Sequence, residues 1–205
     1  MGYSIWPFEY WLQRYREAGL RVIPIYGETY PDGFYNEKAV GIHDWPNYVA
    51  NDNDNLASIR LRFRWCCVTG KASNHTYVID YDLQKHTDAS GNVVENVQPE
   101  EFWSVKNAKR WRNEHLWQLR DMDTLVTFTP SGGCHVWIRC PRGAPDPRDT
   151  ARLTYGVFPC QPDLIRGNDQ QVLIPPSRLI EKGYYLFMDQ DEILPNLKDS
   201  IRIVR

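Results

Sequence analysis

Apolar residues along this chain alternate between two periods, and the changes of period mark its elements. Phe8, Trp11, Leu12 and Tyr15 recur at i, i+3, i+4 and i+7, the stripe of a helix predicted over residues 7–18, with Gly19 as its C′ residue. Residues 21–26 (RVIPIY) read as a short strand, and Pro31-Asp32-Gly33 as a turn inside a loop. Residues 48–55 are polar and read as a loop or short helix. Residues 61–68 form a second strand, and residues 76–82 (TYVIDYD) the clearest one, β-branched and aromatic up to an acidic end. Residues 85–97 are polar, a hairpin or exposed loop around Ser90-Gly91-Asn92.

A long helix is predicted over 99–120, with Pro99 at its first position and Glu100 and Glu101 in its first turn. Lys106, Lys109, Arg110, Arg112 and Arg120 give it a basic face, either hydrated charge or a nucleic-acid contact. Residues 125–128 and 136–139 read as strands flanking Thr129-Pro130-Ser131-Gly132-Gly133. A short helix is expected within 145–155. Residues 163–166 and 171–174 read as a strand pair turned by Gly167-Asn168-Asp169, and 184–188 as a last strand. Hairpins fill the second half and helices lie before it. The expected class is α+β, with mixed or antiparallel sheets in a single domain over 1–205.

Composition narrows the function. The chain has 205 residues, of which 42% are hydrophobic and 24% charged, which is globular and not disordered. No apolar run nears the ~18 residues that span a bilayer, and residues 1–15 lack a secretory apolar core, so the expectation is no membrane partner and a cytoplasmic protein. The net charge of -2 argues against a surface that coats nucleic acid, but not against a local basic cleft. Five cysteines, with one adjacent pair and no Cys-x-x-Cys, fit reduced thiols. On a strand, Cys66 and Cys67 point to opposite faces and cannot easily share a zinc ion.

Three segments carry candidate chemistry. Asp80 and Asp82 are two apart on a strand, so their carboxylates share a face and repel unless a cation lies between them. Oxygen ligands of this kind suit Mg²⁺ or Mn²⁺, and paired carboxylates can hold two such ions for nucleotide transfer. Two hydrated aspartates at a strand end would give the same pattern. In Ser131-Gly132-Gly133-Cys134-His135, glycines can bring backbone N–H groups close to a phosphate, with Ser131 and His135 as donors. An ordinary Gly-Gly hairpin is the other reading. Asp163 could complete a ligand set, and Arg166 could neutralise a triphosphate. A strand-edge acid and a surface arginine are their alternatives, and Asp169 reads as a turn residue.

The ordered set is more specific than its parts. VIDYD at 78–82, TPSGGCH at 129–135, DLIRG at 163–167 and IPPS at 174–177 resemble the bifunctional primase–polymerase (prim-pol) domain of the archaeo-eukaryotic primase superfamily. The helix-to-strand turn at 18–25, Lys38 with Trp45, and Val68-Thr69-Gly70 are similar to features that precede these motifs in that family. The resemblance spans about residues 8–188, with 83–122 as a family-variable insertion. It implies a prim-pol catalytic core with an RRM-like sheet, and a template-dependent primase/polymerase using (d)NTPs, a DNA template and primer, and two Mg²⁺ or Mn²⁺ ions on Asp80, Asp82 and Asp163. Ser131, Gly132, Gly133, His135 and Arg166 would then hold the incoming nucleotide. A helicase of the same plasmid or phage replication system is the implied partner.

Two departures stand out. Asn74-His75 replaces a Ser-Gly pair common in relatives, and Leu164 adds one residue between Asp163 and Arg166. The added residue shifts side-chain parity, which a bulge before the strand would have to absorb for Asp163, and not Asp169, to be the third ligand. Two rival functions remain at this stage: an inactive nucleic-acid or nucleotide-binding module of a replication or defence complex, and a metal-dependent nuclease. Trp137, where a second histidine would be expected beside His135, counts against a histidine-pair nicking site.

Overall fold

The computed structural model describes residues 8–42, 44–48, 64–81, 105–114, 116–143, 164–167, 170–180, 182–189 and 193–203. The first helix, α1 (Phe8–Glu17), buries Trp11, Leu12 and Tyr15 along the predicted stripe. It ends at Gly19, φ 70°, where Gly19 N–H donates to the Arg16 carbonyl and Leu20 N–H to the Tyr15 carbonyl. That is the paired closure that favours glycine in the left-handed region.

Two antiparallel sheets carry the fold. The smaller joins β1 (Arg21–Pro24), β4 (Trp65–Val68) and β9 (Gln171–Leu173) in the order β1-β4-β9. The larger runs β12 (Leu186–Phe187), β6 (Val126–Phe128), β7 (Cys134–Arg139), β5 (Thr76–Tyr81) and β8 (Leu164–Arg166). A short strand β13 (Arg202–Ile203) lies parallel to β7 at Ile138 and Arg139, beyond the residues that β6 pairs. Two hairpins complete the set, β2 (Glu28–Thr29) with β3 (Tyr35–Asn36) and β10 (Arg178–Leu179) with β11 (Gly183–Tyr184). This is the expected α+β class.

The sheets share a core. Val22, Cys67 and Val172 from the smaller sheet meet Val78, Trp137 and Phe187 from the larger one, with α1 packed among them and Trp11 stacked on Phe187 at 5.7 Å. The outer face of the larger sheet buries Tyr77, Ile79, Tyr81 and Val136 against Leu119 and Met122. The outer face of the smaller sheet buries Ile23, Cys66 and Leu173 with Val40 and Tyr185.

Several expectations change. The strands at 164–166 and 171–173 do not pair with each other; β8 joins β5 and β9 joins β4, so the chain crosses from one sheet to the other between them. Thr69 holds this crossover: its hydroxyl donates to the carbonyls of Gly167 and Gln170, and its N–H donates to Gln170. The predicted strand at 184–188 is divided at Tyr185, with β11 in a hairpin and β12 in the larger sheet. The helix predicted to end at Arg120 is described as Val105–Glu114 and Leu116–Arg120. Arg112, placed on its basic face, is buried and lies over the Phe128 ring at 4.0 Å. The hairpin or loop expected over 85–97, the short helix expected within 145–155, and most of 48–55 lie outside the described residues. Asn74 and His75, the departure from Ser-Gly, both have left-handed backbones, φ 52° and 57°, which Asn and His tolerate better than most residues. Among the described residues, no helix is long and apolar enough to cross a membrane.

The Pro-Pro-Ser segment has a structural task. Ser177 is fully buried; its Oγ donates to the Trp65 carbonyl and accepts the Trp65 N–H, both at 2.8 Å. Ser177→Ala should lower stability by about 2 kcal/mol, read from the urea midpoint, because β4 then loses two buried bonds at one residue.

The adjacent thiols diverge as the strand period requires, Cys66 into one core and Cys67 into another. Burial pushes Cys67 up to about 12, and Cys66 well above its ordinary value. Both should resist iodoacetamide at about pH 8 in the folded protein and react in urea, as mapped by peptide mass spectrometry.

Candidate active site

β5 and β7 pair over their whole length, with Asp80 directly opposite His135. Side chains on a strand alternate, so Asp80 and His135 occupy the same face as Val78 and Trp137. On that face the apolar residues enter the shared core, whereas Asp80 and His135 line a cleft of about 280 Å³. β8 adds Arg166, in register with Val78 and therefore diagonal to Asp80. The Arg166 Nη2 donates to Asp80 Oδ2 at 3.0 Å.

The hairpin between β6 and β7 supplies the opposite rim. Thr129 N–H donates to the Gly133 carbonyl and Gly132 N–H to the Thr129 carbonyl, closing a loop around Pro130, Ser131 and Gly132. Gly132 has φ 103°, the one position in the loop where glycine's backbone freedom is needed. Thr129 and Ser131 reach the cleft from this loop, and Gly132 and Gly133 are buried behind it.

The charges are closely packed. Asp80 is 13% exposed and lies 3.5 Å from His135 Nε2 through its other oxygen. Burial lowers the His135 pKa below 6.5; Asp80 pulls it back up, and Arg166 and Lys38 lower it further. The imidazole is therefore neutral at pH 7, and Arg166 is the cation that offsets Asp80. His135 Nδ1, Arg166 Nε and Gln171 Oε1 are buried with no hydrogen-bond partner, and all three residues line this cleft. Buried polar atoms without partners are costly, so their convergence marks a place built for a polar ligand.

Comparison with known protein families matches residues 12–198 to the family described as bifunctional DNA primase/polymerase, N-terminal. The chain belongs to the prim-pol family. The match includes all four sequence motifs. No curated protein matches the chain.

Of the expected prim-pol site residues, the structure brings Asp80, Ser131, His135 and Arg166 to one cleft. Asp82 and Asp163 lie outside the described residues, as does Asp169. Among the described residues, no group of three His, Cys, Asp or Glu side chains is placed to hold a metal ion. The carboxylate of Asp80 and the hydroxyls of Thr129 and Ser131 are hard oxygen donors of the kind that suit Mg²⁺ or Mn²⁺. They fit such an ion in kind, and Asp82 and Asp163 would have to supply the rest of the set.

Lys38, Thr129, Gln171 and Tyr185 also line the cleft, none of them singled out for chemistry from the sequence. Lys38 belongs to the Lys…Trp resemblance, the only signal that could have marked it. Gln171 is one of two adjacent glutamines, and only the register of β9 shows which of them faces the site.

The pairing of Asp80 with Arg166 should be measurable as a coupling. Arg166→Met should destabilise the fold by about 1–2 kcal/mol, less than for a fully buried pair because Arg166 is a third exposed. Adding Asp80→Asn to that variant should restore part of the loss, as a urea-based double-mutant cycle would show.

Proposed function

We propose that this prim-pol domain is a template-dependent nucleotidyltransferase, a DNA primase/polymerase that joins (d)NTPs to a 3′-hydroxyl. The observation that carries the reading is the meeting of Asp80, Ser131, His135 and Arg166, drawn from three separate motifs, in one cleft of a chain matched to this family along 12–198. Arg166 and the donors of Ser131 would bind the triphosphate and offset its charge. A neutral His135, held by β7 opposite Asp80, would present one ring nitrogen to a phosphate oxygen as a donor. The larger sheet would serve as the RRM-like platform of the catalytic core.

Asp80, Asp82 and Asp163 are the residues we assign to two Mg²⁺ or Mn²⁺ ions, which when bound would supply charge stabilisation at the attacking and leaving oxygens. The register imposes a condition on the third. Leu164 stands opposite Asp80, so simple alternation would send the preceding position to the other face, and Asp163 joins the set only if the chain bulges before Leu164. DNA template and primer are the partners, a helicase of the same replication system is a further one, and the reduced thiols suit the cytoplasm.

The test uses primed template, each nucleotide type and Mg²⁺ or Mn²⁺. Extension supports the reading; cleavage of the strand or retention without reaction would replace it with a nuclease or a binding module. Asp80→Asn should reduce extension by ~10²-fold or more while the circular dichroism spectrum is kept. His135→Ala should weaken nucleotide binding roughly tenfold with DNA binding little changed, and equal nucleotide affinity in the two proteins would reject its role.

A further inference from the structure

The helical pieces Val105–Glu114 and Leu116–Arg120 share one helical period in their buried positions. Arg112 and Leu119 are buried and Leu116 packs against the core, a stripe at i, i+4 and i+7 that meets the outer face of the larger sheet. Lys106, Arg110, Asn113 and Trp117 repeat the same spacing on the other side, and all four are exposed. Trp117 is 60% exposed, whereas Trp11, Trp65 and Trp137 are each at most 4% exposed.

The charge of this outward face has one sign. Lys109 lies beside Lys106 and Arg110, and among the described residues none of these cations has an ion pair. Glu114 is the one acid within 105–120, in a chain whose net charge is -2. Arg120, at the end of the second piece, is already paired with Asp189 at 2.9 Å. The face is also fixed in place. Buried Arg112 lies over the Phe128 ring at 4.0 Å, and Phe128 ends β6 directly before Thr129 and Ser131, which reach the catalytic cleft. The cationic helix is thus docked beside the hairpin that forms one rim of the site.

Hydrated charge alone would account for the cations; the exposed indole among them is what distinguishes a binding face. A polynucleotide matches both. Its phosphates are drawn to cations that no acid neutralises, and an unpaired base stacks on an indole. In a duplex the base faces are covered by their neighbours, so the indole selects a single strand. We propose that Lys106, Lys109, Arg110 and Trp117 bind the single-stranded template where it leaves the cleft, through its phosphates and one stacked base. The proposal rests on the reading that the cleft works on a DNA template. These residues lie in 83–122, read from the sequence as a family-variable insertion, so the contact would belong to this chain and not to the shared catalytic core.

The experiment is fluorescence anisotropy of labelled DNA with the whole chain, over a salt range of about 50–200 mM. The probes are a primer–template with a long template overhang, the same duplex with a blunt end, and a free oligothymidylate. The triple variant K106Q/K109Q/R110Q should weaken the overhang substrate and oligothymidylate roughly tenfold at low salt. It should also flatten the slope of log K against log salt by about 2, from ~0.7 per phosphate contact on a single strand. Trp117→Ala should weaken the same two probes roughly five- to tenfold with the slope kept, and Trp117→Phe should regain most of that loss. The blunt duplex should change less than about twofold in every variant, and an unchanged urea midpoint shows that each keeps its fold. Equal losses on the blunt duplex overturn the proposal in favour of a duplex contact. Loss in the triple variant with none in Trp117→Ala overturns the stacked base and the single-strand selection with it. No loss in any variant shows hydrated charge only and overturns the proposal outright. A wild-type chain that binds none of the three DNAs rejects the underlying reading of a DNA-directed enzyme, and this proposal with it.

Discussion

The antiparallel pairing of β5 with β7 supports everything else. Its six paired positions, Thr76↔Arg139 to Tyr81↔Cys134, lie at the centre of the larger sheet and are covered on both faces. Along one face Tyr77, Ile79 and Tyr81 meet Cys134, Val136 and Ile138. Along the other, Val78 and Trp137 enter the core, and one step further Asp80 and His135 reach the cleft. Because a strand reverses face at every residue, a single register assigns both the packing and the polar site, and a slip of one position would destroy the two together.

That arrangement brings charge close to the core, where an unpaired carboxylate would be expensive. Arg166 meets the need from β8, two positions along from the residue opposite Asp80, using the diagonal reach of a long side chain. The neutral state of His135 follows from the same neighbourhood: burial disfavours its charged form and a third cation beside Arg166 and Lys38 adds to that, while a neutral ring can still donate through one nitrogen. Asp80 and Arg166 thus offset each other in a small volume, and Lys38 leaves the described lining of the cleft with one positive charge in excess.

Much of this was legible in the sequence wherever local pattern determines structure. The stripe of α1, the Gly19 closure, the alternation of 76–81 and the divergence of Cys66 from Cys67 each depend on one period, and each is present. The segments resembling the family did converge, for Asp80, Ser131, His135 and Arg166. The errors came where the partner lies far along the chain. Strands 164–166 and 171–173 are close in sequence and separated by turn residues, which reads as a hairpin, yet open edges on two different sheets took one each. Arg112 read as exposed because helical charge usually is, until the Phe128 ring from β6 covered it. Gln171 carried no signal, since its place at the cleft comes from the pairing of β9 with β4.

The Thr69-bound crossover has a consequence for how this chain can vary. Arg166 lies just before it in the larger sheet and Gln171 just after it in the smaller one, and both face the cleft. The number of residues between them is thus a spacer measured against two sheets at once. Both of its ends are tied to one residue, because Thr69 reaches the Gly167 and the Gln170 carbonyls. Those bonds use backbone carbonyls, which every residue carries, so this short connection should tolerate changes of residue far better than the loss of one.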